Sequence, residues 1–177
     1  ELESNKEIIE EINDVKNKII SINPDKLISK VKNQKNHDYL KKLKQTLFEL
    51  NSSLNITANF KKIKNEKILN YNLLTLKVKN IPAKDLRVLI DISKTKFDKS
   101  IIVFVSVKNN RLSLSIGVTK DITNIFNAVE LVNLCTGIIG GKDGGGRDDF
   151  AQGGGTKVYL IDKMFEEIKK IIKSKSN

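Results

Sequence analysis

The residues whose types and spacing bear on chemistry in this chain fall in one stretch. It is Gly140-Gly141-Lys142-Asp143-Gly144-Gly145-Gly146-Arg147-Asp148-Asp149-Phe150-Ala151-Gln152-Gly153-Gly154-Gly155. Nine of the ten glycines lie between Gly137 and Gly155. Glycine is used where the backbone takes a positive φ or comes very close to another surface, and each one costs conformational entropy. Known phosphate cradles do not fit. A Walker loop needs Gly-Lys followed by Ser or Thr, and Lys142 is followed by Asp143. A dinucleotide fingerprint opens a helix after a strand, whereas this stretch is expected to close a helix. A flexible linker is the plain alternative, but Arg147, Asp148, Asp149, Phe150 and Gln152 stand inside it. His37 is the single histidine and Cys135 the single cysteine, so no zinc-type metal site and no Cys-His or Ser-His pair is expected. The chemistry expected here is binding, with no catalytic residue and no cofactor in the chain.

At 177 residues the chain can hold one ordinary domain with an appendage. It begins at Glu1, which leads us to expect a piece of something larger, and it shows neither a signal peptide nor an apolar run long enough to span a bilayer. The formal charge of +11 is unevenly placed. Residues 1–59 carry ten Lys against nine acids, while residues 60–177 carry nineteen Lys and three Arg against twelve acids. A one-sided excess of this size fits a polyanionic partner for the second part. An equally simple source is a Lys-rich composition, since 29 of the 32 basic residues are Lys.

The elements that must position the glycine stretch divide at about residue 59. In residues 3–20, Ile8, Ile12, Val15 and Ile19 recur at helical spacing, and Asn23-Pro24 ends that helix. A second helix is expected from about Asp25 into the fifties, with Leu40, Leu43, Leu47, Leu50 and Leu54 on one seam and Leu27, Ile28 and Val31 as an earlier patch. Such a hairpin must bury its stripes within itself, on the next domain or on a second copy, so residues 1–59 are expected to serve as a dimerisation element or an intramolecular arm.

Residues 60–177 read as a small α/β globular domain with a mixed sheet, making the chain α+β overall. A short hairpin is expected over residues 61–71 with its turn at Asn65-Glu66, followed by a strand over Leu73–Val78. Pro82 starts a helix carrying Leu86, Leu89, Ile90 and Ile92. Ile101–Val107 is a nearly continuous apolar run, as in a strand covered on both faces, and Asn109-Asn110 turns it into an alternating strand, Leu112–Val118. Asp121 is the expected N-cap of a helix running through Phe126 and Leu131 to Gly137. The glycine stretch is expected to be a loop, and a last helix spans Val158 to about Ser174.

This order of elements, closed by Gly-Gly-x-x-Gly-Gly-Gly-Arg-x-Asp-x-Ala-Gln-x-Gly-Gly, resembles the C-terminal (C-Ala) domain of alanyl-tRNA synthetases, which is related to the module accompanying DHH-type phosphoesterases. Ile101–Val107, Gly117–Asp121 and Gly140–Gly155 carry the resemblance, which covers about residues 73–165. Gly140, Gly141, Gly144, Gly145, Gly146, Asp149, Gln152, Gly154 and Gly155 are the signature positions. Two residues depart from the family pattern: Asp143, where relatives often have Gly or nothing, and Asp148, in place of the usual Pro.

The resemblance implies a non-catalytic part of an alanine–tRNA ligase, with ATP and zinc belonging only to domains this chain lacks. It implies contact with the elbow of alanine tRNA by the globular part, dimerisation through the helical part, attachment to the rest of the synthetase, and a cytoplasmic location. Shape, backbone and exposed loop bases carry recognition of that kind. Lys61, Lys62, Lys64 and Lys67, with Lys120, Lys142 and Arg147 beside the glycine stretch, are the candidates for neutralising phosphates. Each is also readable as a solvated surface charge. For Arg147 the competing role is structural, a guanidinium tied to Asp149. Two further readings stay open: a nucleotide-binding accessory module of a DHH-type phosphoesterase, whose loop histidine is replaced here by Arg147, and a dimerisation scaffold alone.

Overall fold

The computed structural model describes residues 13–15, 17–18, 20–21 and 36–175. The chain divides into two compact units, Glu1–Thr57 and Ala58–Asn177.

In the first unit the described residues among 13–21 are helical, and helix α1 spans Asn36–Phe60, its last turn passing into the second unit. Val15, Leu40, Leu43 and Leu50 form one buried cluster, with Tyr39 and Leu47 packed against it. The three-four spacing of the leucines puts them on one face of α1, and Val15 meets that face from the preceding helical stretch. Leu54, expected to continue the seam, is 53% exposed. The expected seam positions Ile8, Ile12 and Ile19, the Asn23-Pro24 break, and the Leu27, Ile28 and Val31 patch lie outside the described residues.

The second unit is built on a six-stranded sheet in the order β1-β2-β3-β4-β6-β5. Its strands are β1 (Lys64–Ile68), β2 (Tyr71–Lys79), β3 (Ser100–Lys108), β4 (Arg111–Val118), β5 (Gly145–Arg147) and β6 (Phe150–Gly155). β2 and β3 are parallel, joined across helix α2 (Ala83–Lys96), and every other neighbouring pair is antiparallel. Side chains alternate between the two faces of a strand. Leu73, Ile101, Val103, Leu114 and Ile116 therefore share one face with helices α3 (Ala128–Ile138) and α4 (Ile161–Ser174) in the main core. Leu74, Ile102 and Phe104 point to the other face, where α2 packs through the fully buried Leu86, Leu89 and Ile90. The first seven residues of β3 are buried, which is why its sequence reads as an unbroken apolar run.

Three expectations are corrected. The first hairpin turns at Leu69-Asn70 between Ile68 and Tyr71, not at Asn65-Glu66, which lie within β1. Leu69 takes a φ of 54°, a left-handed conformation that a leucine side chain does not announce. The residues after Asp121 form a 3-10 turn, Lys120–Ile122, and the true cap of α3 is Asn127, whose side chain accepts hydrogen bonds from the amides of Val129 and Glu130. Asp121 instead accepts the Lys99 amide at 3.0 Å. Finally, only residues 140–144 of the glycine stretch lie outside helix and strand ahead of β5, and the rest is the β5–β6 hairpin at the sheet edge.

Candidate nucleic-acid interface

Gly153 in β6 faces α3: a Cβ there would lie 2.5 Å from Thr136 Cγ2 and 3.2 Å from Val132 Cγ2. No side chain fits that gap, so the helix rests directly on the strand backbone. The chain leaves α3 through Gly140 at φ 70°, the left-handed conformation expected just past a helix end. Side chains then hold what the glycines leave bare. Asn133 Oδ1 accepts the Gly144 amide at 2.9 Å, and Gln152 Nε2 donates to Ser115 Oγ at 2.9 Å across the β4–β6 pair.

At the tip of the hairpin, Arg147 Nε donates to Asp149 Oδ1 at 3.1 Å, while Lys94 Nζ from α2 donates to Asp149 Oδ2 at 3.1 Å. Partial burial raises the Asp149 carboxyl pKa, but the Lys94 ammonium, and after it Arg147, outweigh that and hold it below the usual carboxylate range. Arg147 thus has the structural tie to Asp149, yet its side chain remains 68% exposed. Phe150 is a buried residue under the Arg87 guanidinium, 4.9 Å from the ring centroid, rather than an open stacking platform.

The structure does not gather the candidate cations at one place. Lys64 and Lys67 lie on β1 and Arg147 on β5, the opposite edges of the sheet, so about five strand spacings or 24 Å separate them. Lys61 and Lys62 sit in the exposed turn before β1, and Lys62 and Lys64 line a depression of about 240 Å³ with Lys77 and Asp162. Lys120 and Arg147 lie at one end of the sheet, where Arg147 pairs with Phe150 and Phe150 with Gly117. Lys142 lies at the other end, in a depression with Gly155, the residue that pairs with Leu112. Those two ends are five residues of β4 apart, about 17 Å.

Several residues around the glycine stretch carry no signal of their position in the sequence. Lys94 reaches Asp149 across 55 positions of sequence, and nothing local to α2 signals that. Arg111, in the same depression as Lys142, stands between the Asn109-Asn110 turn and the expected strand Leu112–Val118. Tyr159 is 77% exposed in the 3-10 turn Val158–Leu160, an aromatic ring beside the basic Lys157.

Among the described residues, no group of three His, Cys, Asp or Glu side chains is placed to hold a metal ion. Cys135 is fully buried, and burial pushes its thiol up to about 12, so it is a packing residue and not a nucleophile. No helix among the described residues is long and apolar enough to cross a membrane.

Residues 70–174 match the DHHA1 domain family. The alanine–tRNA ligase of Hyphomonas neptunium is 39% identical over 108 residues, which is 61% of this chain and 12% of that protein. That of Ruthia magnifica subsp. Calyptogena magnifica is 41% identical over 107 residues, again 12% of its length. The chain therefore spans about an eighth of the curated relatives it matches. Among solved structures, the C-Ala domain of Aquifex aeolicus alanyl-tRNA synthetase superposes with a TM-score of 0.59 at 29% identity, covering 61% of this chain and 96% of that one. A DHH-domain member of the s1p family of ribosomal proteins superposes at 0.53 with 14% identity, covering 77% of this chain and 34% of that one, and this likeness speaks to the fold alone.

Proposed function

The chain belongs to the DHHA1 domain family, with a domain of the C-Ala type, and from that premise we propose that it is the tRNA-binding and dimerisation portion of an alanine–tRNA ligase. In this reading the globular unit contacts the elbow of alanine tRNA and keeps the same tRNA available to alanylation and editing domains elsewhere in the enzyme. The helical unit joins two copies. The rest of the synthetase chain is the other partner, and the cytoplasm is the place of work.

The observation that carries the reading is the superposition on nearly the whole of a C-Ala domain. The charge supports it: of a formal +11, residues 60–177 hold all but one unit. A distributed set of cations suits a large folded RNA, because positions about 17–24 Å apart reach separate phosphates on one curved surface. It suits a small nucleotide poorly.

The chemistry of such a site is neutralisation and fit, with no bond made or broken. Lys and Arg side chains displace condensed counterions from the RNA backbone, and affinity falls steeply with salt in proportion to the phosphates met. A mobility-shift measurement with intact tRNA and an unrelated RNA duplex, at about 50 and about 200 mM salt, tests the reading. Preference for tRNA that weakens sharply with salt supports it, and indifference between the two RNAs counts against it.

A further inference from the structure

At the end of the sheet where β2 and β3 finish, an open depression of about 420 Å³ is lined by Arg111, Lys142, Asp143 and Thr156 and by the two glycine pairs 140–141 and 154–155. The glycine pairs lie against each other so closely that a Cβ on Gly141 would run into the Gly154 carbonyl. Thr156 Oγ1 donates to the Gly140 carbonyl at 3.4 Å and ties the two walls together. Lys157 lays its stem along Gly140, where a Cβ would come within 2.9 Å of Lys157 Cε, and so brings a third cation to the edge. The result is a side-chain-free backbone wall with cations around it.

Lys77, Lys94, Lys169, Lys170, Lys175, Arg87 and Arg147 each have a carboxylate partner. No ion pair among the described residues involves Arg111, Lys142 or Lys157, and all three are exposed. The planar guanidinium of Arg111 suits two-point capture of phosphate, and Lys142 and Lys157 supply point charge. Among the lining residues Asp143 opposes them, and its carboxylate repels an anion at this place.

We propose that this depression is a phosphate site for the RNA backbone, held by Arg111 with Lys142 and Lys157, at the end of the sheet away from Arg147. The inference rests on the reading of the chain as an RNA-binding domain, and it adds Arg111 and Lys157 to the surface. Asp143 acts there as a moderating charge. A free nucleotide or inorganic phosphate carries the same chemistry, so the test must separate the sources.

The test is fluorescence anisotropy of the full chain with intact tRNA over a salt series, for the wild type, Arg111→Ala, Lys142→Ala, Asp143→Asn and the control Lys163→Ala, an exposed Lys of α4. Arg111→Ala and Lys142→Ala are each expected to weaken binding about tenfold and to flatten the log–log salt slope by about 0.7–0.9. Asp143→Asn tightens binding, a change that a purely structural role for the depression would not produce. Lys163→Ala leaves affinity and slope near those of the wild type. If the wild type binds tRNA while Arg111→Ala and Lys142→Ala behave like the control, the proposal is overturned. If the wild type binds no tRNA, the RNA-binding reading itself fails, and 5′-AMP and inorganic phosphate then decide the depression by NMR. Shifts of the Gly141 and Thr156 amides that vanish in Arg111→Ala keep a phosphate site there for a free ligand, and no shift removes it.

Discussion

Lys94 Nζ lies 2.7 Å from the Asp149 carbonyl oxygen and 3.1 Å from Asp149 Oδ2, so one ammonium from α2 holds both the main chain and the side chain of the β5–β6 hairpin tip. The Asp149 carbonyl also accepts the Val118 amide at 2.9 Å, which joins β4 to the same knot. Both side chains are largely covered, at 16% and 20% exposure. Lys94→Met removes the ammonium and leaves a half-buried carboxylate with Arg147 alone, at an expected cost of about 1–2 kcal/mol in urea unfolding at pH 7.

The same pair sets a pH dependence. The folded Asp149 pKa is lowered, so its contribution to stability is fully present above the unfolded value of about 3.9 and is lost as pH falls through the folded value. Unfolding free energies between about pH 5 and pH 2 are therefore expected to drop less in Lys94→Met than in the wild type. An identical drop in both proteins contradicts this role for the pair.

Two glycines in and beside the signature stretch separate packing from mere flexibility. Gly153→Val places methyl groups against Thr136 and Val132 and should lower stability by about 1–3 kcal/mol, because the helix must lift from the strand. Gly137→Ala, inside α3 with nothing within 4 Å of the added Cβ, should raise stability by about 0.5–1 kcal/mol. Thermal unfolding of both variants checks the pair of signs. Equal effects would mean that the glycines serve only as flexible chain.

What was legible in the sequence follows from which forces are local. The β3 run and the Asn109-Asn110 turn were readable because burial on both faces and positive φ values of 49° and 57° leave residue-type signals. The start of α3 was misplaced because Ile122–Phe126 looks helical beside a good cap, Asp121. The better signal was present in Asn127 with Glu130 three residues later, a capping-box spacing. The β5–β6 hairpin reads as loop because glycine carries no strand propensity of its own. Here the strand is imposed from outside, by pairing with β4 and by the pressure of α3 on its bare backbone. At the candidate interface the residue types were legible and their grouping was not, since Lys142 and Arg147 are neighbours in sequence but sit at opposite ends of the hairpin.

The helical unit carries its own prediction. If residues 1–59 join two copies, light scattering of the full chain should give about twice the mass per chain found for a chain lacking them. The same oligomeric state with and without that unit would refute the assignment. The exposed Leu54 on α1 offers a milder probe, because Leu54→Asp should weaken association through that helix without touching the buried Val15–Leu50 cluster.

Recognition of the tRNA elbow is tested by comparing two RNAs on the intact chain. Affinity is measured at one moderate salt concentration for whole alanine tRNA and for a minihelix that keeps the acceptor stem but lacks the elbow. The whole tRNA should bind clearly and the minihelix at least about tenfold more weakly, since loop bases and the elbow backbone supply the contacts. Equal affinity for the two RNAs would contradict it.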